Sequence, residues 1–344
     1  MTNINLDTID RQQAPAPLYC IVGDELLLRI EAVDTLRQWA YEHDYSERSS
    51  LSLTATDDWG VIEEFTQSLS LFAERKLLEL VIPSGKPGRK GGDALILLAE
   101  QAKQRELLDT IVVISLPELD WQTKKTKWWQ SLSTAAQVVE LPKITREQLP
   151  SWISQRLKRQ KQSVDRETLH WIVDKVEGNL FAAHQEILKL GLSYPEGNIT
   201  FEAIQQSIQD VARYDVMSLM SAMLEGDAKR TRKILEGLEA EGEALPPLLG
   251  FMMIDIRHLY NLAVARQKGL NPQGQMRSMY IRAPKSDLLL AALNRLSLMQ
   301  IMGIIQHAHD VDRILKGMPV EGRLNDPWQE LLRLSLKIID PNSL

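Results

Sequence analysis

Residues 18–30 read "LYCIVGDELLLRI". The first five are apolar and end at Gly23-Asp24, after which Leu26, Ile30, Val33, Leu36 and Ala40 recur at helical spacing. The stretch reads as a strand that turns directly into a helix. Three more strand candidates follow: "LLELVI" (77–82), "TIVVISL" (110–116) and "AQVVEL" (136–141). The third of the four is mostly apolar and rich in β-branched residues, as strands buried on both faces of a parallel sheet are. Helical patterns lie between the strands, around 59–69, 93–106 and 122–135. Strands alternating with helices predict an α/β domain over residues 1–143, a mostly parallel sheet with helices on both faces.

Past Pro142 the pattern becomes all-α. Thr145 and Gln148 have the spacing of a capping box, and Leu149, Trp152, Ile153 and Leu157 mark the helix that follows. A second helix carries Leu169, Ile172, Val173 and Val176 and is closed by Gly178-Asn179. "LFAAHQEILKL" and the Phe201, Ile204, Ile208 pattern complete a small helical domain over 144–212. From 213 to 344 every periodic stretch is helical, with Gly226 ending one helix and Ser286 placed to cap another.

The turn after the first strand is where an α/β nucleotide hydrolase keeps its phosphate loop, G-x-x-x-x-G-K-[ST]. Here Gly23 is followed by two acids and three leucines, and carboxylates at that place repel a triphosphate. The glycine- and lysine-rich stretch "SGKPGRKGGD" (84–93) contains no Gly-Lys-Ser/Thr and has Pro87 where an amide is needed, so it reads as a mobile surface loop. Lys86, Arg89 and Lys90 could still meet a DNA backbone from it. "KKTKWWQ" (124–130) sets Lys124, Lys125 and Lys127 beside two tryptophans, which suits base stacking and phosphate contact. The plainer reading has one tryptophan packed on the sheet and the lysines solvated. In "HAHDVD" (307–312) the two histidines are two apart on a helix and diverge, so they predict a solvated face and no metal site. No nucleophile motif, cysteine pair or acid–base couple stands out, so no catalytic residue is assigned and no cofactor is expected.

The 344 residues carry a net charge of −6, which argues against a basic nucleic-acid binder and leaves DNA contact to a local patch. The single cysteine, Cys20, sits in an apolar run, a usage that suits a reducing cytoplasm. No basic apolar leader opens the sequence, and no uninterrupted apolar run reaches the ~18 residues of a membrane span.

One apolar knuckle falls outside its neighbours' periodicity, "QSLSLFAERK" (67–76), and by composition and spacing it reads equally as a piece of core or as something a partner grips. With "GDELLLRIEAVDTLR" (23–37), "EGNLFAAHQEILKL" (177–190), "DRILKG" and "PWQELLRLSLKI", this stretch resembles the delta-subunit family of bacterial DNA polymerase III clamp loaders. The resemblance implies a degenerate AAA+ α/β domain (1–143), a helical lid (144–212) and a helical collar (213–344) that joins a ring of subunits. It implies that a Q-x-x-S-L-F-like element plugs a pocket on the sliding clamp (the beta subunit). Gln67, Ser70 and the anchor pair Leu71-Phe72 would stand at its motif positions, with Leu69 at the apolar place between them. Other partners it implies are the gamma/tau and delta prime subunits and primed DNA, with no membrane. It also implies a subunit that opens the clamp without hydrolysing ATP, since the Ser-Arg-Cys motif of hydrolysing relatives is absent. The residues themselves leave two other readings open: an active AAA+ ATPase with an unusual phosphate site, or a module that binds DNA backbone. The loop at 84–92 and "GMPVEGRLND" (317–326) follow no family pattern.

Overall fold

The computed structural model describes residues 2–3, 12–67, 75–107, 109–209 and 212–341. The chain divides into two compact units, one of residues 1–173 and 180–208, the other of residues 174–179 and 209–344.

In the first unit the elements run β1 (Thr2–Asn3), β2 (Leu18–Val22), α1 (Leu26–Tyr41), β3 (Tyr45–Ser52), α2 (Gly60–Gln67), β4 (Arg75–Val81), α3 (Gly88–Gln104), β5 (Thr110–Leu116), α4 (Lys127–Ala135) and β6 (Gln137–Glu140). All pairings in the sheet are parallel, and the strand order is β1-β6-β2-β5-β4-β3. Alternation of side chains along β2 builds two cores from one strand. Leu18, Cys20 and Val22 pack with Leu95, Leu98, Trp129 and Leu132 of α3 and α4, whereas Tyr19 and Ile21 pack with Ala32, Leu36 and Trp39 of α1. The expected α/β sheet is present. It also contains β3, which the sequence reading missed. "YSERSSLS" forms the edge, and most of its side chains are at least partly solvated, so the chain carries no apolar run there.

Four described helices follow β6 in this part of the chain: α5 (Leu149–Arg159), α6 (Arg166–Val176), α7 (Leu180–Ser193) and α8 (Phe201–Ser207), with the two-residue strands β7 (Gln162–Ser163) and β8 (Gly197–Asn198) between them; α6 ends in the second unit. The Gln148 side chain accepts from the Thr145 amide, one half of the expected capping box, while the Thr145 hydroxyl turns to Glu147.

The second unit holds α9 (Val216–Glu225), α10 (Ala228–Ala240), α11 (Leu245–Gln267), α12 (Pro272–Ser278), α13 (Lys285–Arg295), α14 (Leu298–Leu315) and α15 (Pro327–Ile339) around one apolar core. Gly226 closes α9 in the left-handed conformation, as the pattern predicted. Ser286 does not cap: α13 has already begun at Lys285. The capping serine is Ser297, which forms a reciprocal box with Gln300 at the start of α14. By length and composition α11 could cross a membrane, but its apolar residues are interrupted by Asp255, Arg257 and His258, and half of its most apolar window is buried inside the unit.

Candidate functional site

The connection out of β2 runs to one edge of the sheet, and the connection out of β5 passes over β2 to reach β6 on the other side. In such a sheet the carboxyl end of the central strand is where a ligand crevice opens. In this chain the turn there is bonded inward. The Gly23 amide donates to the Leu116 carbonyl at 3.1 Å, and the Leu141 amide donates to the Val22 carbonyl at 2.8 Å. The Asp24 carboxylate accepts from the Glu118 amide at 2.8 Å. A Cβ at Gly23 would come within 2.7 Å of the Leu141 Cβ, so the glycine serves close backbone packing and not an open cradle. Glu25 stands at the N-cap of α1, and burial pushes its carboxyl above the usual range against the pull of the Leu27 amide and Arg29. Leu26 and Ile30 on the same helix are exposed.

Of the knuckle, Gln67 is the last residue of α2, exposed, with its amide donating to Glu63 at 2.8 Å. Leu69, Ser70, Leu71 and Phe72 lie outside the described residues.

The basic candidates are brought together. The expected surface loop at 84–92 is instead a short turn followed by the start of α3, so Arg89 and Lys90 are exposed helical residues. Its glycines serve packing: a Cβ at Gly91 would strike the Trp59 ring at 2.4 Å, and Gly92 faces Trp128. Gly85 packs against Pro117 and Leu119, and Asp120 feels the charge of Lys86. The two lysine-bearing stretches therefore meet beside the starts of α3 and α4. Both tryptophans of "KWW" are buried, edge to face at 5.9 Å, so neither can stack on a base. Lys124 pairs loosely with Glu140, 3.8 Å away, and Lys127 is exposed. Lys125 sits 3.2 Å over the ring of Trp121, an exposed aromatic that the sequence reading did not single out because nothing periodic surrounds it.

The "HAHDVD" expectation fails for one histidine. His309 is solvated, but His307 is fully buried and its Nε2 lies 2.5 Å from Glu330 Oε1. Glu330, also fully buried, accepts from the Leu324 amide at 3.0 Å and pairs with Arg333 at 3.1 Å and Arg323 at 3.6 Å. Arg323 also holds the buried Asp310 at 2.9 Å. The partners come from 23 residues downstream, a separation no helical period reveals. Among the described residues no group of three or more potential ligands could hold a metal.

Burial pushes His307 down to about 4, although Glu330 pulls it up. An unfolded histidine titrates near 6.5, so the unfolded chain takes up this proton first as pH falls. The second unit should therefore lose stability from about pH 6.5 down to about pH 4, approaching about 3 kcal/mol from this residue. Denaturant melts across that range should show the slope in the wild type and a shallower one in His307→Gln. Equal slopes would place the titration elsewhere.

Comparison with known sequences sets these features in a family. Residues 19–141 match the family described as DNA polymerase III, delta subunit. The chain is 27% identical over 322 residues to DNA polymerase III subunit delta of Escherichia coli K12, covering 92% of this chain and 90% of that one. The chain is similar to the DNA polymerase III delta subunits. The delta subunit of Haemophilus influenzae is 24% identical over 337 residues and covered to 95% on both sides. Among solved structures, the Bacillus subtilis DNA clamp loader delta protein overlays with a TM-score of 0.49 at 18% identity, covering 94% of this chain and 95% of that one. The delta-family match opens inside β2 and closes at Leu141, the residue whose amide bonds Val22, so it spans the inward-bonded turn and the knuckle alike.

Proposed function

We propose that this chain is a clamp-loader subunit that grips and opens a ring-shaped sliding clamp during DNA replication, without hydrolysing ATP itself. Gln67, Leu69, Ser70, Leu71 and Phe72 form the grip. The reading divides the chain into an α/β domain (1–143), a lid (144–212) and a collar (213–344) through which it joins the gamma/tau and delta prime subunits in the cytoplasm. What carries it is the delta-family similarity running through residues 67–72. The turn at Gly23, whose glycine amide is bonded to the Leu116 carbonyl and whose Asp24 carboxylate holds the Glu118 amide, supports a subunit that leaves fuel to its neighbours.

Burying two apolar side chains in a partner's pocket contributes ~1.5–3 kcal/mol each, and such anchors dominate interfaces. That suffices for a reversible hold. Opening the ring requires more: the subunit must bind the open clamp edge better than the closed one. Surface binding of purified clamp to the wild-type chain and to Leu71→Ala/Phe72→Ala tests the grip. Affinity should fall by roughly two to four orders of magnitude; wild-type affinity in the double variant would overturn the assignment. The approach of the stretch that carries Lys86, Arg89 and Lys90 to the one that carries Lys124, Lys125 and Lys127 favours a secondary contact with DNA phosphates.

A further inference from the structure

Helix α1 begins at the inward-bonded turn, and in its second turn Glu31 meets the helices that follow the sheet. Both terminal nitrogens of Arg156, on α5, donate to the two Glu31 oxygens, Nη2 to Oε2 at 2.6 Å. The guanidinium also lies on the ring of Trp152, 4.7 Å from its centroid, and the arginine side chain is only 9% exposed. His184, on α7, brings Nε2 to 4.0 Å from the same carboxylate. Burial, with the nearby Arg156 charge, holds His184 below its ordinary range, so near neutral pH it stands there uncharged and the ion pair is one carboxylate to one guanidinium.

A fork-to-fork pair whose cation is also stacked has one good geometry. It therefore fixes distance and angle together, which a lysine or a single hydrogen bond does not. All three elements belong to the first unit. In an α/β hydrolase with a helical lid, a ligand at the carboxyl end of the central strand can bridge the sheet domain to the lid. In this chain the groups at that place are bonded to one another, and the bridge between α1 and the following helices is made by side chains.

We infer that Arg156 and Glu31, backed by Trp152 and His184, form a built-in strap that holds α5 and α7 at a fixed angle to α1 irrespective of nucleotide. The strap makes the first unit a rigid lever. This goes beyond the proposed grip, since it holds whether or not residues 67–72 bind a clamp.

The test is a pulsed electron-resonance distance measurement on the full chain, with spin labels at Gln38→Cys on α1 and Leu192→Cys on α7, both exposed. Cys20 is fully buried and stays unlabelled. The wild-type background should give one narrow distance distribution, unchanged by saturating Mg-ATP. Arg156→Gln should lose the single narrow peak, and Arg156→Lys should lose it too because the plane and fork are gone. Glu31→Gln, which keeps the shape of the acceptor, serves if the arginine variants fail to fold, and circular dichroism identifies the folded ones. A wild-type distribution that is broad or moves with Mg-ATP would overturn the strap, as would a folded variant that stays narrow. Loss of clamp binding by Leu71→Ala/Phe72→Ala has no bearing on either outcome.

Discussion

Glu330→Ala should lower the stability of the second unit by about 3–5 kcal/mol, the scale for removing one partner of a buried ion pair. The alanine leaves the His307 ring nitrogen and the Leu324 amide without their acceptor and two guanidinium groups without a shared anion. Burial alone would raise the Glu330 carboxyl, but the Leu324 amide and His307, with the charge of Arg333, outweigh it and hold the group below the usual carboxylate range. The loss should be nearly complete at neutral pH and shrink in acid, where the wild-type carboxyl is itself protonated. Asp312→Ala is the control: its pair with Lys316 is solvated on both sides, and such pairs contribute about 0–1 kcal/mol. Denaturant midpoints of the two variants should differ widely. Equal midpoints would mean that the buried cluster is dispensable.

The second large effect is expected at Gly178. Its φ is +75°, and a Cβ there would lie 1.9 Å from the Arg213 carbonyl oxygen. That carbonyl belongs to a residue whose amide donates to Glu177 at 2.8 Å, so the obstacle is backbone already tied down. Gly178→Ala therefore combines the left-handed penalty of about 1–2 kcal/mol with a forced rupture of local bonds, for a total of about 3 kcal/mol or more. Gly269 separates the two contributions. It has nearly the same φ, +73°, and nothing within 4 Å of the added atom. Gly269→Ala should cost only the conformational part. If thermal melts find the two alanines equally destabilising, the contact with Arg213 carries no weight.

How much of this was written legibly in the sequence depends on burial. β2 and β5 lie where the apolar runs placed them, because a strand buried on both faces leaves no choice of residue. β3 was silent because an edge strand needs few apolar side chains. The glycines at 91 and 92 looked like a loop because the tryptophans they pack against are distant in sequence: Trp59 lies in the turn just before α2 and Trp128 on α4. His307 looked solvated for the same reason, its partner being a whole connection away. Gln67 and the apolar pair after it could be noticed because they broke a period, yet what they are for came from family likeness, since composition and spacing alone left core and grip equally open.

The inward-bonded turn at Gly23 also bears on protein engineering. Grafting G-K-[ST] onto residues 23–30 would supply the lysine and the hydroxyl of a phosphate loop. The graft would still meet Leu141 pressed against the glycine and the Glu118 amide occupied by Asp24. On the proposed reading, building a triphosphate pocket on this turn thus calls for coordinated changes on three separate connections, which a library that varies one loop at a time does not sample.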